Sequence, residues 1–264
     1  MQIDLSGKTA VVTGSTRGIG HAIARALAGA GAHVILNGRS EAALEVAIAE
    51  LRREQPQSDV GGVVADLSSA EGCAQLIAAQ PNADILINNA GMYYHEDFFE
   101  ISDASWQSMW ELNFLAGVRL SRGYLPGMVK QGWGRVIFIA SECGLQIPVE
   151  MIHYGVSKTG NLALSRGLAK RVAGTGVTVN AILPGPTLTE RIAEQLAADP
   201  AYEGLTTEQR SAAIVHAQRP GSLIGRLATV DEVASLVLYV ASTQASATTG
   251  AALRVDGGVV DSIT

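Results

Sequence analysis

Seven short apolar runs alternate with six longer Ala- and Leu-rich stretches, and this alternation constrains the fold more than any other feature. The runs are 8–13, 33–37, 62–65, 84–88, 135–140, 177–183 and 252–255, and the intervening helical stretches lie near 18–30, 40–54, 69–79, 103–130, 153–174 and 229–241. Several runs, such as Ile85-Leu86-Ile87 and Val136-Ile137-Phe138, are apolar without alternation. Strands buried on both faces read this way, because neither face meets water. Strand–helix–strand repetition with such runs predicts an α/β chain: a doubly wound parallel sheet of about seven strands, covered by helices on both sides. Two helix starts carry capping-box spacing, Ser68 with Glu71 and Thr229 with Glu232. No composition break divides the 264 residues, so residues 1–264 are expected to form a single domain. One stretch breaks the pattern. Residues 188–225 follow the sixth run, are polar and helical in propensity, and contain no strand signal. Long excursions at the carboxyl end of a strand are where such folds build substrate sites.

Composition removes several function classes. Lys and Arg total 19 against 25 Asp and Glu, a net charge of −6. Nucleic-acid and anionic-membrane binders need a basic excess, so neither partner is expected. Hydrophobic residues make up 47% and charged residues 17%, enough apolar surface for a large core. No run approaches the ~20 apolar residues of a membrane span, and Met1 to Leu5 lacks a signal-like pattern. Two cysteines, Cys73 and Cys143, form neither a disulfide framework nor a zinc pattern. A cytoplasmic location and no metal are therefore expected.

The first strand runs into Thr13-Gly14-Ser15-Thr16-Arg17-Gly18-Ile19-Gly20, which opens the first helix. Gly14, Gly18 and Gly20 lack the Cβ atoms that would keep a pyrophosphate from the backbone, and a helix N-terminus offers free N–H groups and partial positive charge. A tight strand-to-helix turn with no ligand has the same composition; position at the start of a βα unit favours the dinucleotide reading. After the second strand stands Asn37-Gly38-Arg39-Ser40, without the acid that binds a ribose 2′-hydroxyl in NAD sites. Arg39 would instead pair with a 2′-phosphate, with Arg17 as a second cation, unless both are solvated surface groups. The expected cofactor is NADP, with NAD as the alternative.

Tyr154 and Lys158 are four apart in a helical stretch, hence on one face and one turn from each other. A phenol with pKa about 10 is a poor acid–base at neutral pH. A lysine charge ~4 Å away would favour the phenolate by about 4 kcal/mol at an effective dielectric of 20, against desolvation. Ser141 ends the fifth strand, thirteen residues before Tyr154. Its hydroxyl can hydrogen-bond a carbonyl oxygen held beside the phenol. Asn113 is polar within an apolar helical stretch, where Asn is disfavoured; it is either a satisfied core amide or the holder of a water against Lys158.

These residues together resemble the short-chain dehydrogenase/reductase family over essentially the whole chain. The matching motifs are Thr13 to Gly20, Asp66 after the third strand, Asn88-Asn89-Ala90-Gly91 after the fourth, then Asn113, Ser141, Tyr154 and Lys158. Pro184-Gly185 follows the sixth strand, and Val255-Asp256-Gly257-Gly258 lies near the end. The resemblance implies a Rossmann-like fold and a catalytic set of Asn113, Ser141, Tyr154 and Lys158. In this reading Tyr154 is the acid in reduction and the base in oxidation, and Lys158 lowers its pKa and holds the nicotinamide ribose. Ser141 orients the substrate oxygen and Asn113 anchors a relay water. The implied cofactor set is Gly14, Ser15, Arg17, Gly18, Ile19, Gly20, Arg39, Asp66, Leu67, Asn89, Ala90, Gly91, Tyr154, Lys158, Pro184, Gly185 and Thr187, with Asp66 at the adenine and Thr187 near the carboxamide. Two departures stand out: the segment from Asp66 to Asn88 looks about one helical turn short, and 188–225 looks roughly ten residues longer than in compact members.

The activity implied is interconversion of a secondary alcohol and a ketone with NADP(H). A non-catalytic nucleotide-binding regulator is the alternative, but such proteins commonly lose the Tyr or Lys present here. Substrate-pocket candidates are Glu142, Gln146, Met151, His153 and Tyr93, with Tyr94 beside it, suiting a 3-oxoacyl thioester, a sugar or a cyclic ketone. Residues 188–225 are expected to act as a mobile lid. Relatives pair two long helices across a two-fold axis, here 103–130 and 153–174, so a homo-oligomer is expected, tetramer over dimer.

Overall fold

The computed structural model describes residues 2–263. Seven strands form one parallel sheet: β1 (Thr9–Val12), β2 (His33–Gly38), β3 (Val60–Val64), β4 (Ile85–Asn88), β5 (Gly134–Ile139), β6 (Val177–Pro184) and β9 (Ala252–Val255). Their spatial order is β3-β2-β1-β4-β5-β6-β9. From β1 the chain winds outward through β2 to β3, then returns to pair β4 with the other side of β1. The reversal leaves a crevice at the carboxyl ends of β1 and β4, where such sheets bind ligands.

Side-chain alternation divides the core in two. Ala10 and Val12 face a layer with Ile23 and Leu27 of α1 (Gly18–Gly29) and Val237 and Val240 of α9 (Val230–Ala241). Val11 faces the opposite layer with Leu76 of α3 (Ala70–Ala79) and Leu120, Tyr124 and Met128 of α5 (Ala116–Gln131). Each such buried side chain contributes about 1.5–3 kcal/mol, and this double burial is why the strand sequences carry no polar alternation.

Helix starts follow local chemistry, with one correction. Thr229 and Glu232 form the expected reciprocal box at the start of α9. At α3 the cap is Ser69, whose hydroxyl accepts the Gly72 N–H, and not Ser68. Ser68 is held by Asp66, whose carboxylate accepts both its N–H and its O–H. The stretch 103–130 is not one helix. It is α4 (Asp103–Trp110), a wide π turn over Glu111–Leu115, and α5. The excursion 188–225 contains a strand residue after all: β7 (Thr187–Leu188) pairs with β8 (Ala228–Thr229), clamping its base. Between them, α7 (Glu190–Ala198) and α8 (Thr207–Gln218) close a small core of Leu196, Val215 and Leu227. No described helix is long and apolar enough to cross a membrane.

Candidate active site

The glycine turn is tied down by its own polar groups. Thr13 Oγ1 accepts the N–H groups of Asn89 and Ala90, both at 2.9 Å, and donates to the Ile87 carbonyl. Asn89 Nδ2 donates to the carbonyls of Thr13 and Gly14. Ser15 Oγ donates to the Val12 carbonyl and accepts the Asn37 N–H, while Asn37 Oδ1 accepts the Gly14 N–H. Ser15 and Asn37 are thus buried braces of the turn. At Gly20 the backbone is so close that a Cβ would lie 2.4 Å from the Gly14 carbonyl oxygen. Gly18 opens α1, and its N–H donates to the carboxylate of Glu190 on α7 at 3.0 Å. Arg17 and Arg39 are exposed at the rim, and among the described residues neither has an ion-pair partner. Asp66 lies within reach of the Arg39 charge; the Ser68 N–H, chiefly, holds its carboxyl below the ordinary range. Leu67 is in the core behind it.

Ser141, at the carboxyl end of β5, faces α6 (Ile152–Arg171), which carries Tyr154 and Lys158. Lys158 is buried, 4% exposed, and donates to the Ile139 carbonyl at 2.8 Å. Burial lowers its pKa to about 8, with Cys143 opposing. Its ammonium lies 5.5 Å from the Tyr154 ring centre. Burial pushes the Tyr154 pKa up, the Cys143 thiol and Glu142 add to the rise, and only the Ser141 hydroxyl works against them. The Lys158 ammonium is itself desolvated and bonded to the Ile139 carbonyl. The neighbouring Cys143 thiol is pushed up to about 12, first by burial and then by Glu142, so it stays protonated.

Asn113 explains the π turn. Its Oδ1 accepts the Met92 N–H at 2.8 Å, and its Nδ2 donates to the Met92 carbonyl and the Ser157 hydroxyl. Its backbone carbonyl accepts from Asn161 Nδ2. The side chain is a satisfied core amide that pins the loop after β4 to α6. It also borders Gly91: a Cβ there would lie 3.2 Å from Asn113 Oδ1 and 3.5 Å from Lys158 Nζ.

A cleft of about 300 Å³ joins these groups. Ile19, Asn89, Gly91, Ser141, Tyr154, Lys158, Pro184, Gly185 and Thr187 line it, as do the substrate candidates Tyr93, Glu142 and Met151. Gln146 and His153 do not reach it. Gln146 borders a separate surface depression. His153 points inward, 1% exposed, against Trp106; burial lowers its pKa, with Glu96 opposing. Tyr94 is exposed, its hydroxyl on the Met92 sulfur. Sequence reasoning missed the far wall: Ile192, Ile214, Val215 and Arg219 from the excursion, with His95 from the loop after β4. Arg219 Nε bonds Glu142 Oε1 across the cleft at 3.4 Å. The signal for that wall was the 188–225 excursion itself, which did not say which of its side chains would face the cleft. Among the described residues no group of three His, Cys, Asp or Glu is placed to hold a metal ion.

A profile described as short chain dehydrogenase matches residues 8–200. The chain belongs to the short-chain dehydrogenase family. Within it, the chain is 44% identical over 263 residues to an uncharacterized oxidoreductase, YvaG, of Bacillus subtilis, covering 100% of both chains. It is 36% identical over 260 residues to D-beta-hydroxybutyrate dehydrogenase of Cupriavidus necator, covering 97% of this chain and 99% of the relative. Its backbone matches the crystal structure of L-sorbose reductase from Gluconobacter frateurii, in complex with NADPH and L-sorbose, with a TM-score of 0.91 and 33% identity over 100% of both chains. This short-chain dehydrogenase is thus an oxidoreductase by family, on a Rossmann-like α/β scaffold.

Proposed function

We propose that this short-chain dehydrogenase interconverts a secondary alcohol and a ketone using NADP(H). The observation that carries the reading is the meeting of Ser141, Tyr154 and Lys158 in one cleft that opens beside the glycine turn. A dinucleotide fits that turn on a feature of the chain itself: the Gly18 N–H at the mouth of α1 already donates to an anionic oxygen, from Glu190, as it would to a phosphate. Gly14 to Gly20 would hold the pyrophosphate, Arg39 and Arg17 the 2′-phosphate, Asp66 the adenine side, and Asn89 to Gly91, Pro184, Gly185 and Thr187 the nicotinamide end. The bound dinucleotide supplies or takes up the hydride.

The chain's own residues handle the proton. Tyr154, kept as a neutral phenol by its surroundings, donates its proton to the carbonyl oxygen as the alcohol forms. In the reverse direction the alcohol proton returns to it. Lys158, carrying a labile proton at a pKa of about 8, would restore the Tyr154 proton through a relay by way of the nicotinamide ribose. Ser141 fixes the reacting oxygen and Asn113 fixes the Gly91 loop against α6. Residues 188–225 act as a lid, since α7 and α8 supply one cleft wall and pack on their own small core. Trp110 and Phe114, stacked with ring centres 4.2 Å apart at the α4–α5 junction, sit on the face where a second copy would dock, giving a homodimer that doubles to a tetramer.

Tyr154→Phe tests the chemistry. NADPH-dependent reduction of a ketone panel should fall about 10³-fold or more, since acid–base groups are worth 10²–10⁴, while NADPH affinity stays within about threefold. Retention of a tenth of the activity would remove Tyr154 from its role. Absence of turnover in the unaltered protein, with NADPH bound, would favour a nucleotide-binding regulator.

A further inference from the structure

Glu142 is an acid with no part in the proton path just described, yet it is buried at 4% exposure in the cleft wall, one residue beyond Ser141. A buried carboxylate is costly unless paired. Its partner is Arg219, at the end of α8. Burial works against the Arg219 charge, but Glu142 and the Cys143 sulfur together more than offset it and keep the guanidinium's pKa raised. Glu142 Oε1 also accepts the Cys143 thiol at 3.4 Å, and Oε2 accepts the Ser141 hydroxyl at 2.7 Å.

That last bond has a chemical consequence. A serine hydroxyl has one proton. Here Ser141 gives it to Glu142, and its oxygen accepts the Cys143 N–H at 3.1 Å. With its proton so engaged, Ser141 has nothing to donate to a carbonyl oxygen beside Tyr154. Turning the hydroxyl toward the substrate would strip a buried carboxylate oxygen of its donor, which is unfavourable. A substrate that brings a hydroxyl of its own to Glu142 removes this conflict.

We propose that Glu142, held in place by Arg219, selects substrates with a hydroxyl on the carbon next to the reacting carbon: α-hydroxy ketones and the corresponding vicinal diols. The substrate hydroxyl donates to Glu142 Oε2, and the Ser141 O–H swings to the reacting oxygen. No bond is made or broken in this exchange; one hydrogen-bond donor replaces another. Because Arg219 already neutralises Glu142, this wall offers no unpaired cation to a substrate carboxylate and favours neutral polyol-type compounds. The inference rests on the alcohol–ketone activity proposed above.

A matched pair of ketones tests it. 1-Hydroxy-2-butanone and 3-pentanone differ by a hydroxyl in place of a methyl group. With NADPH, the unaltered protein should favour the hydroxy ketone by about 10- to 100-fold in kcat/KM, the range for a hydrogen bond to a charged group. Glu142→Gln keeps the shape, loses the charge and presents a donor. It should reduce the preference to within about threefold, through a higher KM for the hydroxy ketone and with NADPH affinity retained as the check on folding. Should that variant not fold, Arg219→Lys, which loosens the grip on Glu142, should lower the same ratio at least threefold. Equal kcat/KM for the two ketones in the unaltered protein would overturn this inference and leave the alcohol–ketone reading standing; an unchanged ratio in the variants would overturn it too. No reduction of either ketone, and no oxidation of 1,2-butanediol or 3-pentanol with NADP, would overturn both.

Discussion

Replacing Lys158 by Met should make the protein more stable at pH 7 and less stable near pH 10. The folded chain lowers this lysine from 10.5 to about 8 through burial, a gap of roughly 2.5 pH units at about 1.4 kcal/mol each. Between those two values the unfolded chain binds more protons than the folded one, so stability rises with pH across that window and is lowest below it. The buried charge therefore costs about 3 kcal/mol at pH 7, and that cost fades as the pH approaches 10.5. Methionine has a similar length and no charge, so it escapes the cost. It also leaves the Ile139 carbonyl without the 2.8 Å bond from Nζ, a loss of about 1–3 kcal/mol. The variant should gain about 1 kcal/mol at pH 7 and lose about 1 near pH 10, where under about 1 kcal/mol of the cost is left, a swing of about 2.5 kcal/mol. Urea unfolding followed by tryptophan fluorescence, on both proteins without added nucleotide, measures it. The other groups that titrate in this range are common to both proteins and cancel in the difference. A stability difference that stays constant from pH 7 to pH 10 would refute the reasoning: Lys158 would then not be a desolvated cation. The variant should be inactive at every pH if Lys158 holds the role proposed for it, a trade of activity for stability.

Three further outcomes are expected. Arg39→Ala should lower kcat/KM with NADPH by about 10- to 100-fold, the worth of one charge-assisted bond, and with NADH by less than about threefold; an unchanged cofactor ratio would mark Arg39 as a solvated surface group. Glu190→Gln should tighten NADPH by up to about fivefold in a fluorescence titration, since an exposed carboxylate competing for the Gly18 N–H is worth roughly 1 kcal/mol or less; weaker binding would mean that Glu190 assists the dinucleotide and does not compete. Gly20→Ala places a Cβ 2.4 Å from the Gly14 oxygen and 2.5 Å from Asn89 Nδ2. It should cost about 1–3 kcal/mol by chemical denaturation, together with most of the nucleotide affinity, and a neutral effect on both would mean that the turn is looser than its contacts imply.

Features set by neighbours along the chain were legible in the sequence. Apolar runs without alternation mark strands covered on both faces, and Val11 between Ala10 and Val12 is such a case, serving one layer while they serve the other. The Thr229 and Glu232 box is another, because its two bonds close within four residues. The spacing of Tyr154 and Lys158 likewise placed them on one helical face. The same local logic misassigned Ser68, since two adjacent serines compete for one cap and the carboxylate of Asp66 takes the first.

What the sequence determined, then, is the set of strands, their covered faces, the glycine turn and which titratable side chains share a helical face. Those follow from periodicity and from bonds that span a few residues. Tertiary structure decided what surrounds them. Arg219 meets Glu142 across 77 positions and Glu190 meets Gly18 across 172. The wide turn at Asn113 is held by Asn161 from another helix, and His153 turns to Trp106 and away from the cleft. Burial, too, belongs to the packed state alone. It drives Tyr154 up and Lys158 down, against what an exposed pair one helical turn apart would do. Spacing fixes which groups can meet, but the dielectric around a charge and the partner that answers it exist only once distant segments have packed.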